Sequence, residues 1–225
     1  MKREDKIKQE YNNIINNNVK VDFKESAQNE KLINIVSIDY IPEYTCNRNY
    51  PCWKHCYARK GAFNYSSVIK RKILNTLDYF ENSRKHFGKI DAIVKYNLAL
   101  GIKHVRFFGS GDIPDAKYID YVIKLCVENP QVKFLIYTKK YKIVNKKLNE
   151  YAKPQNLTII FSSWVGIVFD NPHNLPVAYL EFEKIPEGIK QFKCDCQKNK
   201  NQNHCVSCLR CWRLKSNESV IFKLH

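Results

Sequence analysis

The chain has 225 residues, with 38 Lys+Arg against 22 Asp+Glu and a formal net charge of +16 at pH 7. An apolar fraction of 44% with 13% aromatics can build a core, which excludes wholesale disorder. No apolar run reaches the roughly 18 residues a membrane helix needs, so no membrane span is expected. The opening MKREDKIKQEYNNIINNN has no apolar stretch of a secretory leader, so the cytoplasm is the expected compartment. Nine cysteines, an odd number, then read as metal ligands rather than disulfides. The basic balance has two explanations, a polyanionic partner or the Lys-, Asn- and Ile-rich bias of an AT-rich genome.

Residues 1–20 read as a polar helix or frayed arm, in which NNIINNN is a poor packing surface. LINIVSIDY, residues 32–40, is rich in β-branched residues and predicts a buried strand. A loop with three cysteines follows. Ser66 or Ser67 is placed to cap a helix with Val68, Ile69, Leu74, Leu77 and Phe80 near helical spacing. A second helix is expected from about Lys89 to Leu100, stopped by Gly101. HVRFF, residues 104–108, is a strand that breaks at GSGDIP. Asp115 caps the next helix, which carries Ile119, Val122, Ile123 and Cys126 on one face and ends before Pro130. VKFLIYT (132–138) is a strand, 140–152 a Lys-rich helix, and LTIIFSSW (157–164) a strand. Beyond about residue 165 the pattern dissolves into short strands such as VAYLEF and a cysteine-dense tail. This β–α–β–α–β alternation predicts an α/β fold with a parallel sheet.

Cys46, Cys52 and Cys56 lie within eleven residues, just after a strand, where the loops of a parallel sheet host ligands. Three thiolates suit an iron–sulfur cluster with one open iron. Zinc completed by His55 or a distant residue, or three metal-free thiols, would use the same residues. In the tail, Cys205, Cys208 and Cys211 form C-x2-C-x2-C, with Cys194 or Cys196 available as a fourth ligand. That spacing favours iron–sulfur, and a zinc knuckle is the alternative. A segment without periodicity would gain order from the metal. Cys126 reads as a core residue.

GSGDI sits at the end of the second main strand, where two glycines permit close backbone approach and Asp112 adds a carboxylate suited to hold an amino group. From Tyr44 to Leu77 there are Arg48, Lys54, Arg59, Lys60, Lys70, Arg71 and Lys72 and no acid; Trp53, Tyr57, Phe63 and Tyr65 interleave with them. Lys139, Lys140, Lys142, Lys146 and Lys147 follow another strand end. Cations with aromatics suit a single-stranded nucleic acid, and a solvated basic face is the plain alternative. Seven phosphate contacts would give a log–log salt slope of roughly −5 to −6.

These features resemble the radical S-adenosylmethionine superfamily. More closely, the run from Cys46 to Gly61, then VRFFGSGDI, FLIYTK and CxxCxxCW, resembles the phage gene-product eighty-eight family over about residues 35–213. The resemblance implies a partial (β/α) TIM-type barrel over residues 31–185, preceded by a polar arm (1–30) and followed by a cysteine-rich auxiliary cluster segment (186–225). It implies a [4Fe–4S] cluster on Cys46, Cys52 and Cys56 that binds and reductively cleaves S-adenosylmethionine, so that a 5′-deoxyadenosyl radical takes a substrate hydrogen. Gly109, Ser110, Gly111 and Asp112 match the turn that holds the methionine amino group. Tyr57 falls near the adenine; Thr138, Lys139, Ser162 and Ser163 are candidates for the carboxylate or ribose. A second cluster would use Cys205, Cys208 and Cys211 with Cys194 or Cys196. An external reductant such as flavodoxin or ferredoxin is implied. Nucleic acid or a nucleotide is the first substrate expected and a peptide the second. The rival expectation is a non-catalytic, metal-stapled nucleic-acid-binding accessory protein. The sequence departs from the common superfamily pattern: the spacing is C-x5-C-x3-C, His55 rather than an aromatic precedes the third cysteine, and the acid is Asp112 rather than Glu.

Overall fold

Among the described residues seven strands pair throughout in parallel, most of them built from runs of β-branched and aromatic residues. The computed structural model describes residues 2–26, 32–194 and 205–224. The strands are β1 (Val36–Ile38), β2 (His104–Phe107), β3 (Lys133–Thr138), β4 (Leu157–Ser162), β5 (Val177–Leu180), β6 (Lys190–Lys193) and β7 (Glu218–Phe222). Their spatial order is β1-β2-β3-β4-β5-β7-β6. The first five follow chain order, and β7 then inserts between β5 and β6. The expected α/β class and parallel sheet are borne out. The described pairings run from β1 at one edge to β6 at the other.

Helices connect the strands: α1 (Arg3–Asn16), α2 (Pro42–Thr45), α3 (Ser66–Glu81), α4 (Ser83–Ala99), α5 (Ala116–Glu128), α6 (Tyr141–Glu150) and α7 (Cys205–Cys208). Side chains alternate across a strand, so each strand serves two layers. Val105, Phe107, Phe134, Ile136, Ile159 and Phe161 face one layer, where they pack with Phe87 and Val94 of α4, Ile119 and Val122 of α5, and Val144 of α6. Cys126 is fully buried in this layer, as expected. Leu135, Ile160, Ala178 and Val220 face the other, where they meet Trp212 and Leu214. That second layer is built by the chain between β6 and β7. The cysteine segment is therefore a crossover connection, standing where a helix would ordinarily cover the sheet.

Several boundaries differ from the sequence reading. β1 spans three residues rather than 32–40. α4 begins at Ser83 rather than Lys89, because Asn82 caps it by accepting from Lys85 N at 2.9 Å. α3 starts at Ser66 without a side-chain cap. It buries Ile69, Ile73 and Tyr79, while Phe80 turns to solvent at 54% exposure. The asparagine-rich start packs better than its composition suggests: Ile7 and Ile14 lie two turns apart on one face of α1 and bury against Ile41, Ile69 and Ile73. Asp115 caps α5 as expected, accepting from Tyr118 N at 3.1 Å. Beyond residue 165, two strands were not anticipated, β6 and β7. No helix among the described residues is long and apolar enough to cross a membrane.

Candidate functional site

Because the strands are parallel, the segments after β1, β2, β3 and β4 emerge at one edge of the sheet. The β1 exit runs through Asp39 and Tyr40 into α2 and then Cys46. The β2 exit is the GSGD turn, and the two are stitched together. Asp39 Oδ1 accepts from Ser110 N at 2.9 Å, Ser110 Oγ donates to Tyr40 O at 2.7 Å, and Tyr40 N donates to Ser110 O at 3.0 Å. Tyr40 is itself fixed below, its hydroxyl 2.7 Å from His86 Nε2 and 2.9 Å from the Tyr118 hydroxyl.

Both glycines of this turn are required by contact. A Cβ on Gly109 would stand 2.7 Å from Asp39 Oδ1. Gly111 has φ +80°, and a Cβ there would meet Thr45 Oγ1 at 2.8 Å and Tyr40 O at 3.0 Å. The turn thus lies directly against the base of the three-cysteine loop. Tyr57, next to Cys56, closes over it and donates its hydroxyl to Gly109 O at 2.6 Å.

Asp112 is 7% exposed and extensively hydrogen-bonded. Its N donates to Thr45 Oγ1 at 3.1 Å. Its carboxylate accepts from Thr138 Oγ1 at 2.5 Å, Ile113 N at 2.8 Å and Lys139 N at 3.0 Å. Burial lifts this carboxyl above the ordinary range, against the pull of those hydrogen bonds. A carboxylate offers about four acceptor sites, and these three bonds leave one. Thr138 and Lys139 therefore meet Asp112, joining the β3 exit to the site. At the β4 exit, Ser162 O accepts from Tyr141 at 2.5 Å, and the Ser163 hydroxyl donates to Glu183 at 2.7 Å. The His55 ring stacks with Trp164 at 5.8 Å between centroids, tying the cysteine loop to that exit.

Cys46 caps the end of α2, Cys52 lies in the turn Pro51–His55, and Cys56 joins that turn to Tyr57–Arg59; all three are half-buried. Burial pushes the Cys46 and Cys52 thiols up, Asp112 and Cys56 add to this, and Lys139 pulls both down. The loop is organised around Glu43, which is 5% exposed. Glu43 Oε1 accepts from Arg3 Nε at 2.8 Å and Arg59 Nε at 3.1 Å, while Arg48 Nη2 donates to Glu43 O at 2.6 Å. Burial works to raise the Glu43 carboxyl, but Arg3 and Arg59 outweigh it and hold it low. Arg59 and Arg48 also lie over the Trp53 ring at 4.0 and 5.7 Å. Lys72 is 3% exposed, its Nζ has no hydrogen-bond partner, and it sits 3.9 Å over Phe63. Burial lowers it to about 8. Three of the seven cations singled out from sequence, Arg48, Arg59 and Lys72, thus bond or stack within the loop, although Arg48 is also exposed.

In the tail, Cys194 directly follows β6, with its N donating to Ile221 O at 2.9 Å. Cys205 and Cys208 bracket α7, and Cys211 follows. Cys211 lies within the electrostatic reach of Cys194 and Cys205. Burial pushes the Cys211 thiol up to about 11, while a hydrogen bond from Tyr137 and the charge of Arg106 pull it down. The segment is fastened by Trp212, whose Nε1 donates to Val105 O at 3.1 Å and whose carbonyl accepts from Thr158 Oγ1 at 3.0 Å. Cys196 lies outside the described residues. None of the described cysteines forms a disulfide. Among the described residues, no three His, Cys, Asp or Glu side chains gather as ligands of one metal ion.

A family model described as Gene product 88 matches residues 6–214. The chain belongs to the Gene product 88 family. The match takes in most of α1, both cysteine segments and the GSGD turn, so the resemblance to the phage gene-product eighty-eight family is borne out. No curated protein and no solved structure matches the chain.

Sequence reasoning passed over Asp39, Glu43, Arg106 and Tyr137. Glu43 was the acid at the border of an acid-free stretch. Arg106 was the one cation between Val105 and Phe107 in a buried strand, and strict alternation would have placed it on the second face.

Proposed function

We propose that this member of the Gene product 88 family is a radical S-adenosylmethionine enzyme on a partial (β/α) barrel. The observation that carries the reading is the packing of the three-cysteine loop onto the GSGD turn at the shared exit edge of sequential parallel strands. The donor set fits a [4Fe–4S] group held by Cys46, Cys52 and Cys56. The three thiols are half-buried on one loop, and thiolates are the ligands such clusters take. Such a group, when bound, would supply one electron for the reductive cleavage of S-adenosylmethionine.

The chain's own residues orient and enclose. Asp112 offers its remaining acceptor site to the amino group beside the backbone of Gly109–Gly111. Lys139, near Cys46 and Cys52, offsets negative charge. Thr138 fixes Asp112, Tyr57 roofs the turn, and Ser162 lies one strand further on. Lys54, Lys60, Lys70 and Arg71 remain to meet a phosphate-bearing substrate, a nucleotide or nucleic acid. Four contacts would give a log–log salt slope of roughly −3 rather than the value for seven.

The test is anaerobic purification with iron and sulfide counting, then dithionite and S-adenosylmethionine. Release of 5′-deoxyadenosine, abolished in Cys52→Ala, is the expected result. Stoichiometric zinc without iron would overturn the proposal and leave a metal-stapled binding protein.

A further inference from the structure

Arg106 lies mid-strand in β2, in register with Ser37 of β1 and Leu135 of β3. Its neighbours Val105 and Phe107 face the helix layer, so Arg106 faces the cysteine crossover. Its Nε is sealed from solvent and has no hydrogen-bond partner. A guanidinium cannot shed its proton to escape burial, and a buried charge without compensation is costly. Asp39 is within its field, but that carboxylate is already bonded to Ser26, Ser37 and Ser110. The other groups around Arg106 are Tyr57, Tyr137 and Cys205. Its guanidinium carbon stands 5.5 Å from the centre of the Tyr137 ring, and Tyr137 in turn hydrogen-bonds Cys211. A cation with its Nε sealed and a phenol thus approach the tail cysteines from the same face of the sheet.

For neutral thiols that pairing supplies at most a weak hydrogen bond to sulfur. For thiolates on a metal centre it supplies the missing positive charge and a hydrogen bond to sulfur, the two features that tune an iron–sulfur potential. We propose that Arg106 and Tyr137 are positioning residues for a negatively charged iron–sulfur centre on Cys194, Cys205, Cys208 and Cys211, and that they favour its reduced form. The centre is then an electron carrier, not merely a staple. This rests on the tail cysteines as cluster ligands, and not on S-adenosylmethionine cleavage at the first loop.

The test uses anaerobically reconstituted full-length protein carrying Cys52→Ala, so that the tail centre is read alone by iron and sulfide content and by a redox titration followed by electron paramagnetic resonance. Adding Arg106→Met should shift the one-electron potential to more negative values. Arg106→Lys should recover most of the shift, and Tyr137→Phe should give a smaller shift of the same sign. If Arg106→Met does not retain the centre, the Tyr137→Phe titration decides in the same way. An unchanged potential, or zinc or no metal in the Cys52→Ala protein, overturns the proposal. No arm reads S-adenosylmethionine cleavage, so failure there is a separate result.

Discussion

The loop carrying Cys46, Cys52 and Cys56 is tied down by charge, through Arg3 and Arg59 on the buried Glu43 and cations over Trp53 and Phe63. The crossover carrying Cys205, Cys208 and Cys211 is tied down by apolar burial, with Trp212 and Leu214 against Leu135 and Ile160. The first sits at the strand exits, where polar side chains reach water. The second lies on the face of the sheet, where apolar packing dominates and a polar group needs a partner. Two cysteine groups with similarly half-buried thiols are thus given different supports by their position in the sheet.

The largest expected break of this contrast is Trp212→Ala. It removes the anchor of the crossover and should cost about 4 kcal/mol, within the usual range for a buried tryptophan. Urea unfolding measures it, and hydrogen exchange should show residues 205–222 loosening while residues 41–65 keep their protection. Glu43→Gln should do the reverse. It leaves Arg3 and Arg59 without their carboxylate and should cost about 3 kcal/mol, with faster exchange confined to the first loop and α1. Gly111→Ala combines positive-φ strain with the clash against Thr45 and Tyr40. A loss of about 2 kcal/mol is expected, with lowered iron uptake by the first loop.

The smallest effect has a pH signature. Lys72 titrates at its ordinary 10.5 when unfolded and at about 8 when folded, because burial disfavours its charge. Between those values the unfolded state holds more protons, so this group's contribution to stability rises with pH through that window, and its penalty is complete below about 8. Asp39, Glu43 and Cys56 favour the cation and Arg3 opposes it. Lys72→Met should therefore be more stable than the parent at pH 7 by about 1–2 kcal/mol, an allowance below the full shift for relaxation around the cation. The difference between the two proteins should shrink by pH 10 in parallel urea titrations. A constant difference would show that Lys72 is neutralised by its neighbours.

Legibility from sequence followed locality. The alternation from residue 104 to 164, the Asp115 cap and the buried Cys126 were all legible, because each is fixed by neighbours a few residues away. β6 was not: KQFK is an edge strand, mostly exposed and paired on one side, so no hydrophobic pattern marks it. The β7 insertion between β5 and β6 depends on pairing choices that no local window contains. The Glu43 cluster joins residues 40 positions apart, so the arginines read as a surface groove when they are partly a clamp. The cysteine spacings pointed to metal, while the groups that distinguish the two sites, Arg106 and Tyr137 among them, are supplied by the sheet.

The exchange of the last two strands has a consequence for the order of events during synthesis. β6 pairs with β7 and not with β5, so it leaves the ribosome with no seat in the sheet. Its partner follows only after Cys205, Cys208 and Cys211 have emerged. The crossover is therefore threaded before it is fastened, and its thiols stay accessible in the interval. Closing β7 against β5 and β6 is the step that packs them against the sheet.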